Sequence, residues 1–274
     1  MGYRLLAALT GVVALAASAT SYAQEKSTWD TIQERKTIRI GVAQAEPWAF
    51  MDPLSKEWQG IAVSYGKAIS EALGVEPEFV EVTWGTAVPA LQAGQIDLMP
   101  NLSTTPERAL SIEYTNNPIS YSGLSVLLPD DIQVETWDEL DKPEITFGVN
   151  QGSSQDAFLT KQMQNAKIMR FSSYAEVIAA YQTGNVNAAA MYHPSLALLA
   201  KNAGSGHIVI PQPVRLSFSD TAMRREDDKR LRDWLATANN FYYTLGISQE
   251  WYEDFLRGRG IDPKDSPPIQ REAW

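Results

Sequence analysis

The sequence predicts an α/β protein of two lobes, each a mostly parallel sheet flanked by helices. Short β-branched segments alternate with helical ones, the order that builds a parallel sheet covered by helices. The alternation occurs twice, in two sets each about the size of a small α/β domain. The sets also share local wording: Leu91-Gln-Ala-Gly-Gln-Ile-Asp-Leu98 in the first matches Tyr181-Gln-Thr-Gly-Asn-Val-Asn-Ala188 in the second. Each reads as a helix end, a capping glycine and a short buried strand. The glycine alone is what any α/β unit needs to leave a helix.

The first set opens with Thr37-Ile-Arg-Ile-Gly-Val-Ala43, alternating and β-branched, a strand. A turn-rich stretch with Pro47, Asp52 and Pro53 follows, then Val63 to Leu73 with helical apolar spacing, stopped by Gly74. Glu78 to Thr83 reads as a strand, Ala87 to Ala93 as a helix closed by Gly94, and Ile96 to Met99 as a third strand. The second set has a strand at Glu144 to Val149, a helix from about Ser154 and a strand near Ile168 to Phe171. It continues with a helix at Ala175 to Thr183, a strand at Ala188 to Met191 and a helix from Pro194 to Lys201. Asp227 to Arg257 is helical in pattern and too short for a third domain, so it must pack on one of the others.

Composition narrows the function. The chain has 274 residues, no cysteine and two histidines, with 23 basic and 33 acidic side chains, a formal net charge of −10. Without cysteine there is no disulfide framework and no thiolate metal site, and two histidines argue against a multi-histidine centre. The acidity makes nucleic acid a poor partner. With 44% hydrophobic and 20% charged residues, the chain can bury a core. Residues 1–23 carry Arg4, an apolar run from Leu5 to Ala17, and small residues at Ser21 and Ala23 before Gln24. That is the layout of a cleavable secretory signal, too short and too interrupted to span a membrane. Its removal leaves 274 − 23 = 251 residues with 22 basic and 33 acidic side chains, or −11.

Chemistry concentrates where strands give way to helices, the usual ligand position in open α/β folds. Asn101-Leu-Ser-Thr-Thr-Pro-Glu-Arg108 follows directly on a predicted strand and opens a helix, with Thr105 as N-cap and Pro106 at the first helical position. Free N–H groups and the helix dipole favour an anion there. Arg108 adds a planar, two-pronged grip for a carboxylate, with Ser103 and Asn101 as neutral donors. The alternative is that Arg108 pairs with Glu107 or Glu113 on a solvated helix face. Gln151-Gly-Ser-Ser-Gln155 repeats the logic in the second set, presenting several donors to one point, or else is an ordinary serine cap. Trp48, Phe50 and Trp84 lie in loops after predicted strands, where they either form a flat wall for stacking on a ligand or simply pack. Trp58, Trp137, Trp234 and Trp251 read as core or surface anchors.

No G-x-S-x-G elbow, P-loop or H-E-x-x-H is present, so no catalytic residue, metal ligand or cofactor is predicted. Neither His193 nor His207 has an evident nucleophile beside it; His193 follows Tyr192 at a strand end, which leaves a cleft role open, and otherwise it reads as a solvent-facing loop histidine.

The order of these segments resembles the family 3 solute-binding proteins of ABC importers, the polar amino acid group, over almost all of the chain after residue 23. The resemblance rests on Ile38-Arg-Ile-Gly-Val-Ala43, Glu46-Pro-Trp-Ala-Phe50, Gly60 with its following helix, and Val88-Pro-Ala-Leu-Gln-Ala-Gly-Gln-Ile-Asp-Leu98. It rests equally on Ser103-Thr-Thr-Pro-Glu-Arg108 and Gly148-Val-Asn-Gln-Gly-Ser-Ser-Gln155. It implies the periplasmic binding protein fold, in which two α/β lobes are joined by two crossing hinge strands and close on a ligand. Lobe one would take residues 24–119 and lobe two residues 120–211. Residues 212–274 would return to lobe one, with the crossings near Ser120 and Gln212. Carried over by motif, Arg108 would grip the ligand carboxylate with Ser103 and a backbone N–H near Asn101. Ser153, Ser154 and Gln155 would contribute from lobe two, and Trp48 or Trp84 would line the side-chain pocket. The implied partners are a small carboxylate ligand and an ABC permease in the inner membrane, with the chain working as a periplasmic monomer.

Two positions depart from the family pattern. Tyr192 stands where amino acid binders commonly carry an aspartate for the α-ammonium, and Gly60-Ile-Ala-Val-Ser64 stands where many members read Gly-Phe-Asp-x-Asp. A buried ammonium without its acid costs several kcal/mol. The expected ligand is therefore a carboxylate with an apolar or aromatic body, either an amino acid or an amino-acid-like molecule without the α-amino group; Glu46 is the candidate for a relocated acid in the first case. Exported cyclohexadienyl dehydratases also resemble this family. The lack of an evident acid–base pair facing Arg108 favours binding over that chemistry, with His193 and Glu46 keeping the enzyme reading open. A sensor domain that presents ligand to a receptor is the third reading.

Overall fold

Two short parallel sheets, one in each half of the chain, are stitched together by a pair of long crossing strands. The computed structural model describes residues 26–203, 205–266 and 268–273; the expected export segment, residues 1–23, lies outside them. Lobe one begins with α1 (Thr28–Arg35), β1 (Thr37–Val42), the hairpin β2 (Phe50–Met51) and β3 (Trp58–Gln59), and α2 (Ile61–Leu73). It continues with β4 (Glu76–Glu81), α3 (Ala87–Gln92), β5 (Leu98–Ser103), α4 (Pro106–Ala109) and β6 (Ile112–Tyr114). The crossing strand β7 (Ser120–Leu128) leads to lobe two, made of α5 (Trp137–Leu140), β8 (Thr146–Asn150), α6 (Ser154–Gln162) and β9 (Lys167–Phe171). There α7 (Tyr174–Gln182), β10 (Ala188–Tyr192), α8 (His193–Ala203) and β11 (His207–Val209) complete the lobe. The strand β12 (Leu216–Arg224) crosses back, and α9 (Arg230–Thr244) and α10 (Ile247–Gly258) finish on lobe one.

The parallel arrangement follows from the alternation. In lobe one β1 lies between β4 and β5, parallel to both, with Thr37 opposite Glu76 and Ile40 opposite Leu98. Ile38 and Ile40 are fully buried, each contributing about 1.5–3 kcal/mol of transfer free energy. In lobe two β8 lies parallel between β9 and β10. The shared wording of the two halves has a physical counterpart at Asp97 and Asn187. Asp97 accepts the Arg39 N–H at 2.7 Å, and Asn187 Oδ1 accepts the Thr146 N–H at 2.7 Å. Each side chain thus pins the start of the neighbouring strand. Asp97 also pairs with the guanidinium groups of Arg35 and Arg39.

The crossing strands are antiparallel partners, from Leu216 opposite Gly123 to Ser219 opposite Ser120. β7 passes the ladder on to β10 and β12 passes it to β5, giving one curled sheet of order β4-β1-β5-β12-β7-β10-β8-β9. Their side chains alternate in an unusual sense. Ser120, Ser122, Ser217 and Ser219 are buried, whereas Leu216 and Phe218 stand 42% and 39% exposed. The hinge therefore shows hydroxyls to the inside of the molecule.

α2 opens at Gly60, whose φ is 114° and where a Cβ would lie 2.6 Å from the Trp48 carbonyl oxygen. Only glycine fits both conditions. The helix closes at Gly74 as predicted, with φ 66° and its N–H on the Glu71 and Ser70 carbonyls.

Three expectations change. The helical stretch Asp227–Arg257 is two helices, parted at Gly246 with φ 77°. Both pack on lobe one, Leu231 and Leu235 of α9 against Ile38, Ile40 and Tyr65, and Tyr252 and Leu256 of α10 with Trp48 and Ile61. β5 runs on through Ser103, because β12 supplies an antiparallel partner for Leu102 and Ser103. Asn101 therefore sits inside a strand, at a bulge, with φ 57°. Finally, His193 is buried at the start of α8, not in a solvent-facing loop. Its Nδ1 accepts the Gly123 N–H at 3.0 Å, since β10 runs beside β7.

Candidate functional site

The cleft between the lobes is walled at the ends of β5, β8 and β10 and floored by the crossing strands. It is lined by Trp48, Trp84, Asn101, Ser103, Arg108 and Ser122, and from the other side by Ser153, Ser154, Gln155, Tyr174, Tyr192 and Ser219. The cavity has about 340 Å³ of empty volume.

Arg108 is placed by its own short helix. The Thr105 hydroxyl accepts the Arg108 N–H at 3.2 Å, and Pro106 opens the turn, both as the sequence predicts. α4 has only four residues, so it lacks the aligned peptides of a helix dipole, and the anion preference must come from the side chain. The guanidinium donates from Nη1 to the Ser103 carbonyl at 2.9 Å and from Nη2 to the Gly152 carbonyl at 3.0 Å. It makes no ion pair with Glu107 or Glu113; Glu113 is held by Lys229 at 2.8 Å. Burial depresses the Arg108 pKa from its ordinary value, and the same surroundings push the Tyr114 phenol up to about 12. Carbonyl oxygens satisfy two N–H groups without neutralising the charge. A half-buried cation of this kind is complementary to a carboxylate.

Among the described residues lining the cavity, Arg108 carries the only formal charge at neutral pH. The hydroxyls and amides around it are mostly engaged with one another. Ser217 Oγ donates to Ser103 Oγ at 3.0 Å, Ser153 Oγ to the Asn150 carbonyl at 2.6 Å, and Ser154 Oγ shares a bond with the Tyr192 hydroxyl at 3.0 Å. Gln155 Nε2 donates to the Tyr174 hydroxyl at 2.9 Å. Asn101 differs. It is 4% exposed, and both its Oδ1 and its Nδ2 are buried with no hydrogen-bond partner. A buried amide left open in this way costs about 1–3 kcal/mol unless something pairs with it.

The structure brings Trp48, Trp84, Asn101, Ser103, Arg108, Ser153, Ser154, Gln155 and Tyr192 to this one cavity. Glu46 and Phe50 lie elsewhere. Arg259, just past α10, pairs with Glu46 at 2.7 Å and stacks over the Phe50 ring at 4.6 Å, and Phe50 meets Phe255 edge-on at 5.6 Å. Both residues brace the C-terminal helix, so the relocated-acid reading of Glu46 is withdrawn. Burial raises the Glu46 pKa against the pull of Arg259.

Ser122, Tyr174 and Ser219 also line the cavity, beyond the residues the motifs single out. For Tyr174 a signal existed. Ser173 caps α7 directly after β9, with its Oγ accepting the Glu176 N–H at 3.2 Å, the same junction logic that marks Ser153.

Residues 38–257 match the family model described as bacterial extracellular solute-binding proteins, family 3. The chain is 26% identical over 221 residues to a probable amino-acid ABC transporter periplasmic-binding protein, y4tE, of Sinorhizobium fredii, across 78% of this chain and 69% of that one. It is 25% identical over 171 residues to a cyclohexadienyl dehydratase of Pseudomonas aeruginosa, across 61% of this chain and 63% of that one. The crystal structure of the ancestral amino acid-binding protein AncCDT-1, a precursor of cyclohexadienyl dehydratase, superposes with a TM-score of 0.75 at 27% identity. The superposition covers 84% of this chain and 99% of that one.

Proposed function

The chain belongs to family 3 of the bacterial extracellular solute-binding proteins, and from that membership we propose that it is the periplasmic binding component of an ABC importer. It is exported by the signal in residues 1–23, captures one small carboxylate between its lobes by hinge closure, and delivers it as a monomer to an inner-membrane permease. The ligand is amino-acid-like, with an apolar or aromatic body and no α-amino group.

The observation that carries the ligand class is the charge of the cleft. Arg108 is the sole formal charge among the described residues that line it, and its guanidinium is held by two neutral carbonyls. A zwitterion would bring an ammonium with no carboxylate to meet it, whereas a monocarboxylate neutralises the site. Trp48, Trp84, Tyr174 and Tyr192 supply an aromatic wall for the body, and the open amide of Asn101 supplies a donor and an acceptor beside it.

A thermal-shift panel of carboxylates, each paired with its α-amino counterpart, tests the reading. The deaminated members should stabilise the protein, by about 2.7 kcal/mol at a hundred times the dissociation constant. Stabilisation by standard L-amino acids but not by their deaminated analogues would overturn it.

Similarity to the dehydratase favours a second reading, an enzyme on the same scaffold. Against it, the described residues lining the cavity include no carboxyl or imidazole group to act as acid or base. Incubation with prephenate should leave the substrate intact; its turnover would establish the enzyme.

A further inference from the structure

We infer that Gly152 is the lobe-two positioning residue of the Arg108 grip, the point at which closure and ligand anchoring meet; the inference rests on the hinge-closure reading above. The Gly152 carbonyl takes an Arg108 N–H across the cleft at 3.0 Å. Its own N–H is held by Asp156 Oδ2 at 3.0 Å, and Asp156 is in turn paired with Arg170 at 2.9 Å. Gly152 is thus held through both its N–H and its carbonyl, with the carbonyl aimed at lobe one.

The same residue sets how near the lobes come. A Cβ at Gly152 would lie 2.8 Å from the Cα and 3.2 Å from the N of Gly85, which belongs to the opposite lobe. Backbone meets backbone here, and neither side has a flexible end that can swing away. With a side chain at 152, the lobes stop short and the carbonyl lies out of Arg108's reach. Arg108 therefore bridges a fixed acceptor on its own lobe, the Ser103 carbonyl, and a second acceptor that arrives only on closure.

Left-handed geometry is a separate requirement at this position, since φ is 73°. Gly184, also on lobe two, provides the control: its φ is 74°, but a Cβ there would meet nothing within 4 Å. Asparagine tolerates that backbone better than other residues, so Gly152→Asn and Gly184→Asn carry the same conformational burden. Only the first obstructs closure.

The absence of native cysteine allows spin labels at Lys67→Cys on α2 and Lys167→Cys on β9, exposed positions on opposite lobes. Inter-lobe distances would be measured on the full chain as purified and after ligand is stripped by unfolding and refolding. The wild-type background should move between a short and a long distance. Gly184→Asn should do the same, and Gly152→Asn should lose the short distance while melting at the temperature of Gly184→Asn. If Gly152→Asn reaches the short distance as the wild type does, the role given to Gly152 is wrong although the hinge stands. One unchanging distance in the wild type under both treatments would contradict hinge closure itself, and the Gly152 inference with it.

Discussion

Arg108 owes its position to residues adjacent in sequence, which is why the sequence could point to it. Thr105 and Pro106 build a single turn, and the Ser103 carbonyl five residues back holds Nη1. Removing the side chain leaves two carbonyls to be solvated, about 1 kcal/mol of stability at most. Its loss from binding is larger, because charge-assisted bonds to a carboxylate are each worth about 1.5–3 kcal/mol. Arg108→Ala should therefore fold with a near wild-type melt and bind the most stabilising carboxylate of the panel at least a hundredfold more weakly, read by titration calorimetry. Arg108→Lys keeps the charge and loses the fork, and should fall between the two. Glu46 and Phe50 show where reasoning from adjacency ends. Their partner Arg259 comes more than 200 residues later in the chain, and nothing near Glu46-Pro-Trp-Ala-Phe50 announces it. Asn101 was legible as a cleft residue, but its left-handed backbone and open amide depend on the bulge imposed by β12.

At the scale of elements, strands with alternating β-branched residues and helices closed by glycine were legible because each carries a local signal. The crossing strands were not readable from pattern. β7 and β12 place Ser120, Ser122, Ser217 and Ser219 on the buried side, so hydropathy runs opposite to the usual alternation, and only the family resemblance located them. Four substitutions test the elements. Gly60→Ala forces a Cβ within 2.6 Å of the Trp48 carbonyl at a φ of 114°, and should cost about 2 kcal/mol or more in chemical denaturation. Gly258→Ala, at a helical position where a Cβ meets nothing within 4 Å, should be neutral or slightly stabilising. Asp97→Ala leaves Arg35, Arg39 and the Arg39 N–H without their shared acceptor and should cost about 2–4 kcal/mol. Asn187→Ala, its neutral counterpart in lobe two, removes bonds to the Thr146 N–H and the Glu144 carbonyl and should cost about half as much. Equal losses at the two sites would contradict the charge argument.

Across the whole molecule, the lobes are joined by strands whose buried face carries Ser120, Ser122, Ser217 and Ser219, and one buried apolar cluster runs between them from Trp48, Ile61 and Tyr252 to Tyr174 and Leu196. Among the described residues lining the cleft, Arg108 is the one charged side chain, and the buried acids Asp97, Asp156 and Asp220 lie outside that lining. The C-terminal segment is tied to the crossing strands, since the buried Ile269 offers its carbonyl to the Tyr121 N–H at the start of β7 at 2.8 Å. The central claim, that Arg108 anchors a carboxylate lacking an α-ammonium, is tested most directly by native mass spectrometry of the full chain as purified. The wild type should carry a small monocarboxylate of net charge −1 that is released on unfolding, and Arg108→Ala should carry none. Recovery of a zwitterionic amino acid or a cation from the wild type, or of the same ligand from Arg108→Ala, would contradict the account.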